Sequence, residues 1–416
     1  MSPRRTGEVS PARPPRFTRA GRCVAMLAVV ALGGCAILPR NAVPPELSGD
    51  AVIPGMPEVR APAGQPSPAM ASDLARSFEQ ESPAEFPRGP DGRVHYAHLA
   101  LSGGGPNGAF GAGFLSGWTK TGQRPVFKIV TGVSTGALMA PFAFLGPQYD
   151  DMLREFYTNT SSRNIFRLLS IIPAFLGGES FASTEPLNAL IADQVTPELL
   201  REVAQAHNGG RRLYIGTVDL DSQRFLVWNM GLIATSGQPG ALELFRKVML
   251  ASSSVPVAFP PVYFDVEAQG ERYDEMHVDG SVGAGVFYDG GVFSFSAARA
   301  AAAGPPGREE IYIVHNGSLL PIGEPTTRSV RAIALRVFDS AGKASSVGDL
   351  FRIYTRAQHE GAGYHWITIP ERPEVASREV FDSRVMTALY DLGVRTATAG
   401  PIWFTAPPGL SGLPQP

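Results

Sequence analysis

The sequence predicts an α/β fold, with a central, mostly parallel β-sheet flanked by helices in three layers. Two observations predict it. From residue 94 onward, apolar runs of strand length that end in glycine or small polar residues alternate with helix-patterned stretches. The opening of that region reads strand, glycine loop, helix, strand, tight turn, helix, which is the building unit of a parallel sheet. The composition is compatible: 44% of residues are hydrophobic and 18% charged, enough for a sizeable core. A length of 416 residues allows one large domain with appendages.

Taken in order, Val94 to Leu101 reads as a buried strand, followed by a glycine loop and a small-residue helix to about Trp118. Val126 to Thr131 reads as a second strand, then a tight turn and a helix to about Leu145. Residues 150–195 are patterned as mainly helical. Arg212 to Asp219 and Arg224 to Asn229 read as a hairpin, and 240–251 as a helix. Tyr263 to Val266, Tyr273 to Val278 and Ile311 to His315 read as strands. The end of the chain, from about 325, is mainly helical over 327–360 and 380–398, with a strand near His365 to Ile369. The body so defined spans 93–405.

The N-terminal region has a different texture. Six arginines between Arg4 and Arg22 precede the apolar run Cys23 to Leu32, which is too short to cross a bilayer and suits a signal-peptide core. The run ends in Leu32-Gly33-Gly34-Cys35, which resembles the bacterial lipobox. That resemblance implies a signal peptide over 1–34, cleavage before Cys35, and a lipidated Cys35 holding the protein to a membrane of the cell envelope. Ala36 at the next position, in place of a retaining aspartate, points to the outer membrane. A plain secretory leader or an uncleaved anchor is the alternative. The only cysteines are Cys23 and Cys35, so the processed chain would hold no internal disulfide. Residues 36–92 contain 11 of the 37 prolines, so 35–92 reads as a tether or loosely packed arm, with a short helical stretch at Ser72 to Gln80 able to dock on the body.

Net charge is −2 and no long basic stripe is present, which argues against a nucleic-acid partner. Removing residues 1–34, with six Arg and one Glu, takes away +5 and leaves −7. A body of that charge would not be drawn to anionic lipid by electrostatics alone.

Three stretches carry chemistry. The first is Gly103-Gly104-Gly105-Pro106-Asn107-Gly108, between a strand and a helix. Glycines open backbone N–H groups to a ligand, and a helix N-terminus adds partial positive charge, so the loop suits an oxyanion or a phosphate. Gly103, Gly105 and Gly108 also match G-x-G-x-x-G, but a dinucleotide site needs an acidic residue after the next strand, and that strand ends Ile129-Val130-Thr131-Gly132. No cofactor or metal is called for. The second stretch is Gly132-Val133-Ser134-Thr135-Gly136, with the G-x-S-x-G spacing of a nucleophile elbow, an apolar strand before it and Ala137-Leu138-Met139-Ala140 after it. The elbow lies 31 residues past Gly103, which is room for one β-α-β unit. The third is Asp279-Gly280, a carboxylate at a strand end and a candidate general base.

In this order the three stretches resemble the patatin-like phospholipase family, over roughly 94–300. Gly216 to Leu220, Ala251 to Pro256 and Phe259 to Val262 look like the family too. The resemblance implies a three-layer patatin-like fold and hydrolysis of lipid acyl esters. It makes Ser134 the nucleophile and Asp279 its base, with no histidine. Gly103, Gly104 and Gly105 would supply N–H groups to the oxyanion. It also implies that Asp279 is largely buried beside Ser134, since burial raises a carboxylate pKa toward a useful value. Two positions depart from the family: Asn107 stands where Arg or Lys is usual, and Ser281 follows Asp279-Gly280 where Gly or Ala is usual.

Two other readings of the same residues are a Ser-His-Asp esterase using a later histidine (His277, His315, His359 or His365) and a non-catalytic lipid-binding envelope lipoprotein. The apolar stretch Ile165 to Leu176 reads either as a lid or acyl groove or as a buried helix ending at Pro173.

Overall fold

A computed structural model describes residues 40–168, 180, 182–320, 323, 325–370, 373, 375–401 and 403–410. Residues 1–34, read above as a signal peptide, Cys35, and residues 169–176 of the apolar stretch lie outside these.

Strand β1 (Arg60–Pro62) and helix α1 (Pro68–Glu79) come first. They are followed by β2 (Val94–Leu101), α2 (Gly108–Lys120), β3 (Phe127–Gly132), α3 (Thr135–Leu145), α4 (Asp150–Asn159) and α5 (Ser162–Ile165). Next come β4 (Arg167–Leu168), β5 (Ala182–Ser183), α6 (Glu185–Gln194), α7 (Pro197–Asn208), β6 (Arg212–Asp219), β7 (Arg224–Asn229), α8 (Met230–Thr235) and α9 (Ala241–Ser252). The hairpin β8 (Val262–Ala268) and β9 (Glu271–Asp279) leads to α10 (Phe295–Ala301), β10 (Gly307–His315), α11 (Val330–Glu360), β11 (Gly363–Thr368) and α12 (Ser383–Thr398).

The main sheet is mixed. Its centre is parallel, in the order β6, β3, β2, β10, β11. At one flank the chain turns antiparallel: β7 pairs with β6, β1 with β7, and β9 with both β6 and β8. Alternation along the central strands sends side chains to two cores. Leu99, Leu101, Val130, Leu213 and Ile215 join one, packed against α2, α3 and α12 through Phe110, Phe114, Leu138 and Leu389. Tyr96, Ala100, Ile129, Tyr214 and Ile311 join the other, under α1, α10 and the C-terminal half of α11 through Leu74, Phe78, Phe295 and Ile353. These are the three expected layers.

One detail of register positions the site. β3 accompanies β6 only from Arg212 to Ile215, where Gly132 is the last partner. β6 continues to Asp219, and β9 takes the vacated edge, pairing Thr217 with Asp279. The end of β9 therefore arrives where β3 turns away.

The stretch read as a tether is packed from Arg40 onward. β1 adds to the sheet edge, and Val43, Ile53, Met56, Val59, Met70, Leu74 and Phe78 are buried. Buried ion pairs fasten it: Asp73 holds Arg212 at 2.7 Å, Glu81 pairs with Lys128, and Arg60 with Glu275. A high proline content was compatible with docking because the prolines occupy helix starts and strand ends (Pro68 at the start of α1, Pro62 at the end of β1). Helices α7, α8 and α10 were also unforeseen.

Candidate active site

The Ser134 elbow is built by close packing. Ser134 has φ 55° and ψ −124°, a left-handed conformation that a non-glycine residue holds only under constraint. The constraint is visible. The Ser134 N–H donates to Ser252 Oγ at 3.0 Å, Ser252 Oγ donates to the Gly216 carbonyl at 2.6 Å, and Ser253 Oγ donates to the Ser134 carbonyl at 3.1 Å. The flanking glycines leave no alternative residue: a Cβ at Gly132 would strike the Gly136 carbonyl, and one at Gly136 would strike the Leu101 carbonyl. A Cβ at Gly280 would likewise strike the Gly216 carbonyl, and one at Gly108 would strike Thr135 Oγ1.

The Ser134 hydroxyl donates to Asp279 Oδ2 at 2.6 Å. Asp279 is completely buried. Its own N–H donates to the Ser254 carbonyl at 2.9 Å, and the Ser281 N–H donates to Oδ1 at 2.8 Å. Burial pushes the carboxyl up to about 6, and the hydrogen bonds from Ser134 and Ser281 oppose that shift. Ser281 fits the turn after Asp279-Gly280, and its N–H is a donor to the carboxylate.

The glycine loop sits beside the pair, but its three members are not equivalent. The Gly103 N–H donates to the Gly285 carbonyl at 2.9 Å, so it is not available to a substrate oxygen. This corrects the expectation of three donors. The backbone N–H groups of Gly104 and Gly105 have no hydrogen-bond acceptor among the described residues. Gly104 has φ 153°, and a Cβ there would run into the Asn316 carbonyl oxygen. Asn316 is itself locked by its N–H to Ser102 Oγ at 2.7 Å and by its side-chain amide to the Ser102 carbonyl at 2.9 Å.

Two spaces meet at Ser134. The wider, about 370 Å³, is lined by the glycine loop, Asp279, Ser281, the segment His315-Asn316-Gly317-Ser318, and α11 through Arg336, Asp339 and Lys343. The narrower, about 50 Å³, is apolar, with Leu138, Phe156, Ile165, Leu187, Phe259 and Met386 on its walls. Ile165 is buried there, and Phe166 beside it packs against Phe259, another wall of the same space.

The residues that sequence reasoning missed come from β10 and α11. A signal existed for the first: β10 is a parallel neighbour of β2, and in such sheets the carboxyl ends of the strands face the ligand crevice. Among the described residues no histidine hydrogen-bonds to the Ser134 hydroxyl, which donates to Asp279. His277 is held by Thr217 Oγ1 through Nδ1 and by Glu275 through Nε2. His365 pairs with Glu310. His315 lines the wide space, but Nδ1 contacts Thr368 Oγ1 at 3.1 Å and burial lowers the ring to about 4. His359 lies at a different cavity, beside Asp289 and Arg356.

Residues 99–302 match the family described as Patatin-like phospholipase. Among solved structures, the crystal structure of VipD from Legionella pneumophila matches at 11% identity and a TM-score of 0.34, covering 77% of this chain and 70% of that one. No curated protein matches the sequence. The glycine loop, the Ser134 elbow and Asp279 all fall inside the matched span, and the chain carries a patatin-like phospholipase domain, that of a lipid ester hydrolase.

Proposed function

We propose that the domain cleaves lipid acyl esters with a Ser134–Asp279 dyad, the N–H groups of Gly104 and Gly105 holding the oxyanion. The observation that carries this is the 2.6 Å hydrogen bond from the Ser134 hydroxyl to a fully buried carboxylate. In the first half-reaction Ser134 Oγ attacks the ester carbonyl carbon while its proton passes to Asp279. The carbonyl oxygen becomes an oxyanion facing the two free amides; one such donor typically contributes about 2.7–4 kcal/mol to lowering the barrier. The alcohol leaves with the proton from Asp279, and the acyl group stays on Ser134. Water then attacks the acyl-serine, giving its proton to Asp279, and the fatty acid departs as Ser134 recovers its hydrogen. A carboxyl near 6 is a stronger base than one at about 3.9, so burial of Asp279 supports the role. The acyl chain takes the narrow apolar space, and the alcohol portion takes the wide space with Arg336 and Lys343.

The test is labelling by a fluorophosphonate probe together with release of p-nitrophenol from a medium-chain ester. Ser134→Ala loses the label and the activity; Asp279→Asn, still folded, loses about 10⁴-fold in rate. Full hydrolysis by Ser134→Ala overturns the reading. A folded wild type that neither labels nor hydrolyses favours a lipid-binding envelope protein instead.

The lipobox at Leu32 to Cys35 supports a second part of the reading, a protein anchored by Cys35 in the bacterial envelope, at the outer membrane. Cys35→Ser blocks incorporation of labelled palmitate and leaves the precursor unprocessed; unchanged processing ends this part.

A further inference from the structure

Helix α11 is two things along its length. Its C-terminal half packs into the body through Leu350, Ile353 and Ala357. From Val330 to Ser345, no described side chain is buried, and the first buried residue is Ser346. In this unburied half, Val330 is 85% exposed, Ile333 52% and Val337 62%. Their spacing of three and four places them in one narrow stripe. Asp339, Gly342 and Lys343, which line the wide space at Ser134, fall on the opposite side of the helix by the same geometry. One face thus looks onto the catalytic cleft while the other presents aliphatic side chains outward.

The charge is equally uneven. Residues 326–345 contain Arg328, Arg331, Arg336 and Lys343 against a single acid, Asp339, a balance of 4 − 1 = +3 within a chain of net −2. Asp339 lies 3.5 Å from both Arg336 and Lys343. An aliphatic stripe on a cationic helix is the pattern of an element lying in the plane of an anionic lipid surface, its apolar face among the acyl chains and its cations at the head groups. Exposed aliphatics of this size have no reason to gather beside a cleft open to water alone.

We infer that the N-terminal half of α11 docks the protein on an anionic lipid surface, next to the cleft that receives the lipid. The inference rests on the lipid-ester reading of that cleft only for its purpose; the docking itself is measurable without catalysis. A protein surface of like composition would need acidic complementarity over the same stripe, and a second copy of this chain, negatively charged overall, offers its stripe only as a like-charged face.

The experiment places an environment-sensitive fluorophore at Val337→Cys in full-length chain carrying Cys23→Ser and Cys35→Ser, with the exposed Glu58→Cys as control. On phosphatidylglycerol vesicles the Val337 label shifts to the blue and is quenched by doxyl-labelled lipid; on phosphatidylcholine the response is weak, and the Glu58 label does not respond to either. In parallel, Val330→Asp/Ile333→Asp/Val337→Asp lowers hydrolysis of vesicle lipid by about tenfold or more, while hydrolysis of a dissolved short-chain ester stays within about twofold. A Val337 label that ignores phosphatidylglycerol vesicles overturns the inference, whether or not the enzyme is active. So does an equal loss on vesicle and dissolved substrate, which would place the stripe inside the catalytic machinery. A blue shift that follows protein concentration without vesicles would make the stripe an interface between copies, and also overturns it. If the triple variant unfolds, the single-label measurement decides alone. Failure of the wild type on every ester, with the label still inserting, would sink the proposed chemistry and leave the docking intact.

Discussion

Asp279 faces Thr217 across the β6–β9 ladder, two residues along β6 from Ile215, the last position that β3 reaches. The two hydrogen-bonded residues, Ser134 and Asp279, therefore follow from strands that share one edge of β6 in succession. The acid is set by sheet register, and the serine by the turn that ends the strand it replaces. Neither depends on a mobile side chain finding its place, since Asp279 is pinned by its backbone to Ser254 and by Oδ1 to the Ser281 N–H.

The pH dependence of kcat/KM follows from this environment. With its carboxyl near 6, Asp279 is protonated and unable to take the serine proton at lower pH. The rate falls about tenfold per unit well below pH 6 and is level from about 7 to 9. A profile on a dissolved ester measures it, and an acid limb near pH 4 would remove Asp279 as base.

The same shift destabilises the fold at neutral pH. A pKa raised above the unfolded value of about 3.9 means that the neutral form is the one the fold favours. The contribution is fully present below about pH 4 and is lost as pH rises through about 6, a change of about 3 kcal/mol. Relative to wild type, Asp279→Asn gains about that much between pH 4 and pH 8, read by urea denaturation at both.

Ser252→Ala tests the elbow. It strips the Ser134 N–H of its acceptor and the Gly216 carbonyl of a donor, both buried. The loss is about 1–3 kcal/mol in stability. Because Ser134 keeps φ 55° only while held, kcat on a dissolved ester falls by about tenfold or more with KM little changed.

Two neighbouring glycines separate crowding from conformation. Gly104→Ala meets the Asn316 carbonyl and abolishes hydrolysis. Gly105→Ala, at φ 55° with open space around it, costs about 1–2 kcal/mol through its left-handed backbone and keeps measurable activity. Thermal melts and ester assays on the pair distinguish the two effects.

Asp73→Ala probes the N-terminal arm. It would leave Arg212, buried in β6, without its 2.7 Å partner, and remove the acceptor of the Asn229 amide. The expected cost is about 3–5 kcal/mol, seen as a lower urea midpoint. A loosely attached arm would show no change.

The legible parts of this protein were those written in local sequence. Apolar runs ending at Gly132 and Leu101 marked two strands to within a residue, and small residues around Ser134 marked the turn, because both are short-range steric facts. Asp279 was different: an aspartate before a glycine is ordinary, and only the resemblance to a family singled it out. What escaped was long-range. That Gly103 spends its N–H on Gly285 depends on a segment 182 residues away. The docking of 40–92 depends on charges buried in β3, β6 and β9. The cleft face of α11 depends on where a helix more than 200 residues from the glycine loop comes to rest.

The docked arm would set the length of a leash from Cys35. Arg40 is clamped by Asp221 and Asp274, and the Asn41 N–H donates to Asp274 Oδ2 at 2.7 Å. With acyl chains on Cys35 as proposed, five residues separate the lipid from the first fastened point, a reach of at most about 18 Å. On that reading Arg40 stays within that distance of the leaflet that carries the acyl chains.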